Sequence, residues 1–224
     1  MNARRVAALL TSILLLAASL PARGNDDTFQ AWYQTTVWHR INSRWSVGTY
    51  LDLRVNDGID DVHTWIVSPR LRYDVNPNLQ LQVNTSRVEA FNAENIRPVD
   101  SFRLEIEANP TLPLAKSLIF SMRNRFEWRW IEGGAEFNTR LRIRPQLDWL
   151  VRSEGLFRGF FANHETFWDF DQHRITETRF VPFGLILKPA DAVELRISYL
   201  WRQTAGRSGW YGYHAAVAAA TISF

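Results

Sequence analysis

Polar and apolar positions alternate with a period of two along most of this chain. The pattern is clearest in the middle. In Phe120–Trp130, Ser121, Arg123, Arg125, Glu127 and Arg129 fall on one face, and Phe120, Met122, Phe126, Trp128 and Trp130 on the other, interrupted only by Asn124. After a Gly-Gly connection, Phe137–Trp149 repeats it: Asn138, Arg140, Arg142, Arg144, Gln146 and Asp148 oppose Phe137, Leu141, Ile143, Pro145, Leu147 and Trp149. Successive side chains of a strand point to opposite faces, so both stretches are predicted strands with one apolar and one charged face. In a soluble sheet the charged face meets water. In an outer-membrane barrel the apolar face meets lipid and the charged face lines the lumen.

The same reading divides the rest of the chain. Predicted strands run over Thr28–Arg40, Arg44–Val55, His63–Val75, Leu79–Val88 and Ser101–Pro110, and after the central pair over Phe157–Asp169, Arg179–Leu187, Val193–Gln203 and Tyr213–Phe224. Polar and Gly/Pro-containing stretches separate them, among them Asn56–Asp61, Asn76-Pro77-Asn78, Asn92–Asp100, Asp171–Glu177 and Ala205–Trp210. Tight connections alternate with slightly longer ones. That makes eleven segments. Single-chain bacterial barrels have an even number of strands, so the expectation is an all-β, antiparallel up-and-down transmembrane barrel of ten to twelve strands, twelve slightly favoured, with short loops. The first segment, where Thr35, Thr36, Trp38 and His39 blur the alternation, is the one expected to need revision. The competing reading is a soluble periplasmic sandwich or lipocalin-like barrel holding an acidic small ligand. Against it stand Trp and Tyr near segment ends, opposite charges on nearly every polar face, and segments of about ten to thirteen residues, long for soluble strands.

Composition adds three points. The chain has no cysteine, so no disulfide or thiolate site. Ten tryptophans suit interfacial belts, and a mean hydropathy of −0.23 is what alternating faces average to. Arg4 and Arg5, the apolar run Val6–Leu20 and the small-residue site Ala22-Arg23-Gly24 read as a signal peptide over residues 1–24, with 25–224 as the barrel domain. Without that segment 23 basic residues face 23 acidic ones, so the basic isoelectric point is no reason to expect nucleic acid.

Several stretches together resemble the domain-of-unknown-function 2490 family of bacterial outer-membrane proteins. They are the pair Trp32-Tyr33, NSRWSV at Asn42–Val47, PRLRYDVNPNLQL at Pro69–Leu81, RNRFEWRW at Arg123–Trp130 and RLRIRPQL at Arg140–Leu147. The resemblance implies a signal peptide and an outer-membrane barrel. It implies no activity and no catalytic residues. Phe224, ending an alternating strand with Ile222 on the same face, resembles the assembly signal of Gram-negative barrels. Outer-membrane lipid and the barrel-assembly machinery are therefore the expected partners.

The inward faces give a dense charge set: Arg54, Arg70, Arg72, Arg103, Glu105, Glu107, Arg123, Arg125, Glu127, Arg129, Arg140, Arg142, Arg144, Asp148, Glu165, Arg179, Glu194, Arg196 and Arg202. Two readings apply. The charges neutralise one another and fill a narrow lumen, or they line a passage or pocket for a small anionic solute. Hydrolysis at a loop rim is the enzymatic alternative. His164 has no serine two or four residues away, and Asp169, Asp171 and His173 resemble the rims of omptin-type proteases through three common residues of a polar loop. The five histidines show no ligand spacing and no phosphate-binding glycine motif is present, so nothing points to a metal or cofactor.

Overall fold

The computed structural model describes residues 29–56, 62–91, 99–133, 137–151, 154–206 and 209–224. The expected signal segment lies outside the described residues. Each alternating segment becomes a strand: β1 (Phe29–Arg40), β2 (Trp45–Asn56), β3 (Val62–Asn76), β4 (Leu79–Ala90), β5 (Val99–Ala115), β6 (Leu118–Ile131), β7 (Asn138–Leu150), β8 (Phe157–Asp169), β9 (Arg174–Ala190), β10 (Val193–Ala205) and β11 (Trp210–Ser223). Neighbours in sequence pair antiparallel all the way round, and β1 closes on β11.

The strand count is eleven among the described residues, within the expected range but not the favoured twelve. The evenness rule assumes that an antiparallel pair closes the barrel. Here the first and last strands run the same way and close it in parallel, with Trp32 opposite Val217 and Thr36 opposite Thr221. The blurred first segment is a full strand. Its alternation is obscured because Trp32 and Trp38 face inward, where both are buried.

The stretch Asp171–Glu177 is corrected as well. Only residues 170–173 turn, and β9 begins at Arg174. Opposite β8, Phe167 pairs with Glu177 but the next residue, Trp168, pairs with Ile175, leaving Thr176 as an extra residue. Such a bulge flips the inward and outward phase, so Ile175 faces out and Glu177 in. A second bulge at Pro182–Phe183 flips it again, so Val181 and Ile186 both face inward. A closed barrel has no edge strand on which to put a proline. Instead the ladder skips: on the β4 side at Pro69, on the β6 side at Pro110 and on the β8 side at Pro145.

The ends of β1, β3, β5, β7 and β9, with the starts of β2, β4, β6, β8 and β10, gather at one end of the barrel, here the turn end. The ends of β2, β4, β6, β8 and β10, with the starts of β1, β3, β5, β7, β9 and β11, gather at the other, the loop end. Inside and outside are inverted relative to a soluble protein. On β5, Phe102 is 48% and Ile106 46% exposed, whereas Glu105 and Glu107 are each 2% exposed.

Candidate functional site: the charged lumen

Period two puts the charges inside, and the cross-strand register decides which of them meet. Arg54 reaches Asp52 at 2.8 Å. Arg125 reaches Glu105 at 2.9 Å and also pairs with Glu107. Glu127, fully buried, accepts from Arg140 and Arg142, each at 2.7 Å. Arg142 and Arg123 share Glu165. Arg129 pairs with Asp169 at 3.2 Å, and Glu177 takes Arg179 at 2.6 Å and Arg202 at 2.9 Å. Towards the turn end Arg196 bridges Asp148 at 2.8 Å and Glu194 at 2.7 Å. Arg72 lies there too, 3.9 Å from Asp74 and donating to Ser46 Oγ at 3.2 Å.

Aromatic rings support the same cations. Phe167 is fully buried beneath Arg140, Arg142 and Arg179, at 4.8, 4.5 and 4.7 Å from the ring centre. Trp32 lies under Arg54 at 3.9 Å. A guanidinium over an aromatic face is held by the ring quadrupole and by stacking. Trp32 also joins Phe161, Val181, Ile186, Leu200 and Ala215 in an apolar cluster on the β8–β1 side of the interior. Charge and apolar side chains therefore mix on β8–β10, and β11 presents only small or apolar side chains to the cavity.

Three arginines stand apart. Arg103 lies opposite Arg129, and Arg144 opposite Arg123. Like charges directly across a strand pair are destabilising. Arg129 and Arg123 have carboxylates of their own; Arg103, Arg144 and also Arg70 make no ion pair among the described residues. The Nε atom of each is buried without a hydrogen-bond partner. The contact Arg70 does make is with the Tyr50 ring, at 4.1 Å. A third opposed pair, Arg125 and Arg142, differs because Glu127 Oε1 lies between them, 3.7 Å and 2.7 Å away. Apart from the Arg72–Asp74 pair, the lumen holds twelve arginines and nine carboxylates, an excess of three cations. All three unpaired guanidiniums face one central cavity of about 640 Å³.

Towards the turn end Trp38, 6% exposed and not among the residues lining the cavity, lies under Arg72 at 4.5 Å. Gly48 makes room for this indole: a Cβ there would come within 2.6 Å of the Trp38 ring.

Sequence reasoning left four acidic members of the network, Asp52, Asp74, Asp169 and Glu177, out of its inward set, and it assigned Glu177 to a loop because the Thr176 bulge breaks the alternation. Two residues of the hydrolase alternative, Asp169 and Asp171, hold the 170–173 turn. Asp169 accepts backbone N–H bonds from Asp171 and Gln172 at 3.1 and 3.0 Å. Asp171 accepts from Asn138 Nδ2 at 2.6 Å and from the Thr139 amide at 2.8 Å. His164 faces outward beside Phe180, with the ring centroids 6.2 Å apart.

Fold and interior together define a class, a closed β-barrel with a charged and partly filled lumen. Within that class, residues 29–213 match the family described as "Protein of unknown function (DUF2490)", and the chain belongs to it. No curated protein and no solved structure matches the chain.

Proposed function

We propose that this protein is an integral outer-membrane β-barrel of a Gram-negative bacterium, exported by residues 1–24, whose narrow lumen admits small anionic solutes and which is not an enzyme. The observation that carries the membrane reading is the inverted distribution of side chains. Large apolar residues are exposed on β2 to β11, among them Leu51, Leu71, Val83, Ile106, Ile143 and Ile197, while Asp52, Glu127 and Asp169 are 0–2% exposed inside. Water-facing surfaces rarely carry a continuous apolar band of this kind. The band is bordered by rings. Phe102, Trp130 and Phe137 stack near the loop end, with centroids 5.6 and 5.4 Å apart. Trp45–Tyr73 and Trp149–Phe160–Phe183 stack near the turn end, at 4.6, 6.0 and 4.9 Å. From Phe120 to Trp130 the strand advances about 33 Å at roughly 3.3 Å per residue. A tilt of about 40° reduces that to about 25 Å, the height of an outer-membrane apolar band. Asn124, the polar residue in this stripe, donates to the Ala108 carbonyl at 3.0 Å, which limits its cost against lipid.

The anion reading is supported by the excess of three guanidiniums and by the form of the network. A lumen selected for stability alone is filled at least as well by apolar side chains as by buried ion pairs. The test of the membrane reading is cell fractionation followed by electrophoresis with and without heating. The expected result is an outer-membrane protein whose unheated form migrates anomalously in SDS. A soluble periplasmic protein with unchanged migration overturns it.

A further inference from the structure

We infer that the lumen is a binding pocket for a small polyanion carrying two or more negative charges, held by Arg70, Arg103 and Arg144. This rests on the outer-membrane reading above and adds to it a ligand class and its three contacts.

The first argument is charge. Nearly every inward carboxylate already serves one or two arginines, and the three cations left over are the ones that face the cavity without an ion pair. Two of them are set directly against another arginine. Arrangements that oppose like charges in a confined, weakly screened space raise the energy of the empty state. A bound polyanion removes the repulsion at both sites at once, whereas a monoanion leaves two guanidiniums unanswered.

The second argument is shape. Arg70, Arg103 and Arg144 come from alternate strands, β3, β5 and β7, so they share one wall. Opposite them β11 presents only Val217, Ala219 and Thr221 to the cavity. The volume of about 640 Å³ lies within the range of small-molecule sites. The ligand that fits has its acidic groups on one side and an uncharged face on the other. Guanidinium forks favour carboxylate and phosphoryl oxygens, which they engage bidentately.

The experiment uses the full chain, folded in detergent and titrated calorimetrically with citrate, with pyrophosphate and with acetate. Saturable binding of citrate or pyrophosphate, with none for acetate, is expected, and the stronger of the two polyanions identifies carboxylate or phosphoryl chemistry. Arg70→Gln, Arg103→Gln and Arg144→Gln should each weaken binding about tenfold or more, the scale of one charge-assisted contact. Arg87→Gln, which removes an exposed cation paired with Glu89 and Asp100 outside the lumen, should leave it unchanged. Folding is controlled by the melting midpoint. Without ligand Arg103→Gln and Arg144→Gln should melt no lower than the parent, because each relieves repulsion across a strand pair, and all three variants should lose the increment that citrate gives the parent. A heat-modifiable barrel that binds neither polyanion, or whose lumen variants bind as tightly as the parent, overturns the inference. A protein that fails the heat test but binds citrate through these arginines overturns the membrane reading and leaves the pocket standing.

Discussion

At the scale of single residues, the interior separates into charges that hold the barrel and charges that burden it. Glu127 is of the first kind. It is fully buried, it accepts from Arg140 and Arg142, and it lies 3.7 Å from Arg125. Glu127→Gln keeps the volume and removes the charge, leaving three guanidiniums to face one another across β6 and β7. Breaking a buried pair from one side costs about 3–5 kcal/mol, so this variant should unfold at markedly lower urea in a heat-modifiability assay. Arg144→Gln, by contrast, should not lower the midpoint. Equal losses from both substitutions would mean that the network is stabilised diffusely and that Glu127 has no special place in it. The sequence made the arginines visible because each sits in phase on a polar face. It could not show which of them lack a carboxylate, since that depends on register between strands far apart in the chain, as Arg123 meeting Glu165 illustrates.

At the scale of elements, the strands were legible wherever one face is apolar throughout, and least where a bulge or an inward aromatic breaks the period. β6 and β7 were readable almost residue by residue. β9 was readable only from Arg179, because Thr176 is an extra residue and Arg174–Thr178 is mostly polar. The closure was the least legible feature, since period two specifies each strand but not which pair seals the ring. It has a direct test. Gln34 and Ala219 are opposite each other in the β1–β11 pair. Neighbouring strands lie about 4.8 Å apart, inside the Cα separation of roughly 4.4–6.8 Å that a disulfide spans. Because the chain has no cysteine, Gln34→Cys with Ala219→Cys should form a single crosslink in folded protein, seen as a mobility difference with and without reductant. Gln34→Cys with Ala215→Cys, four residues out of register, should not. If a twelfth strand separated β1 from β11, neither pair would bridge.

At the scale of the whole molecule, the barrel is a charged interior in an apolar sleeve, and the proposed passage of small anions makes predictions about both. The Debye length is about 10 Å at 0.1 M salt, so an excess of three guanidiniums is felt throughout a lumen this narrow. Rings of arginine favour anions, and in planar bilayers under a KCl gradient the protein should therefore show small, discrete, chloride-preferring conductance. Trp38 and the excess arginines control different parts of that signal. Trp38 is buried with its ring under Arg72 and carries no charge itself, which makes it the candidate constriction on the proposed reading. Trp38→Ala should accordingly raise the unit conductance while the reversal potential stays on the anion side. The triple variant Arg70→Gln, Arg103→Gln, Arg144→Gln should do the opposite, moving the reversal potential towards zero with little gain in conductance. If Trp38→Ala conducts no more than the parent, the constriction lies elsewhere, and the ion-paired cluster around Glu127, in the loop-end half of β6 and β7, is next in line. If both variants shift selectivity alike, size and charge filtering occur at one place, and the separation of a turn-end constriction from an arginine-bearing wall is wrong.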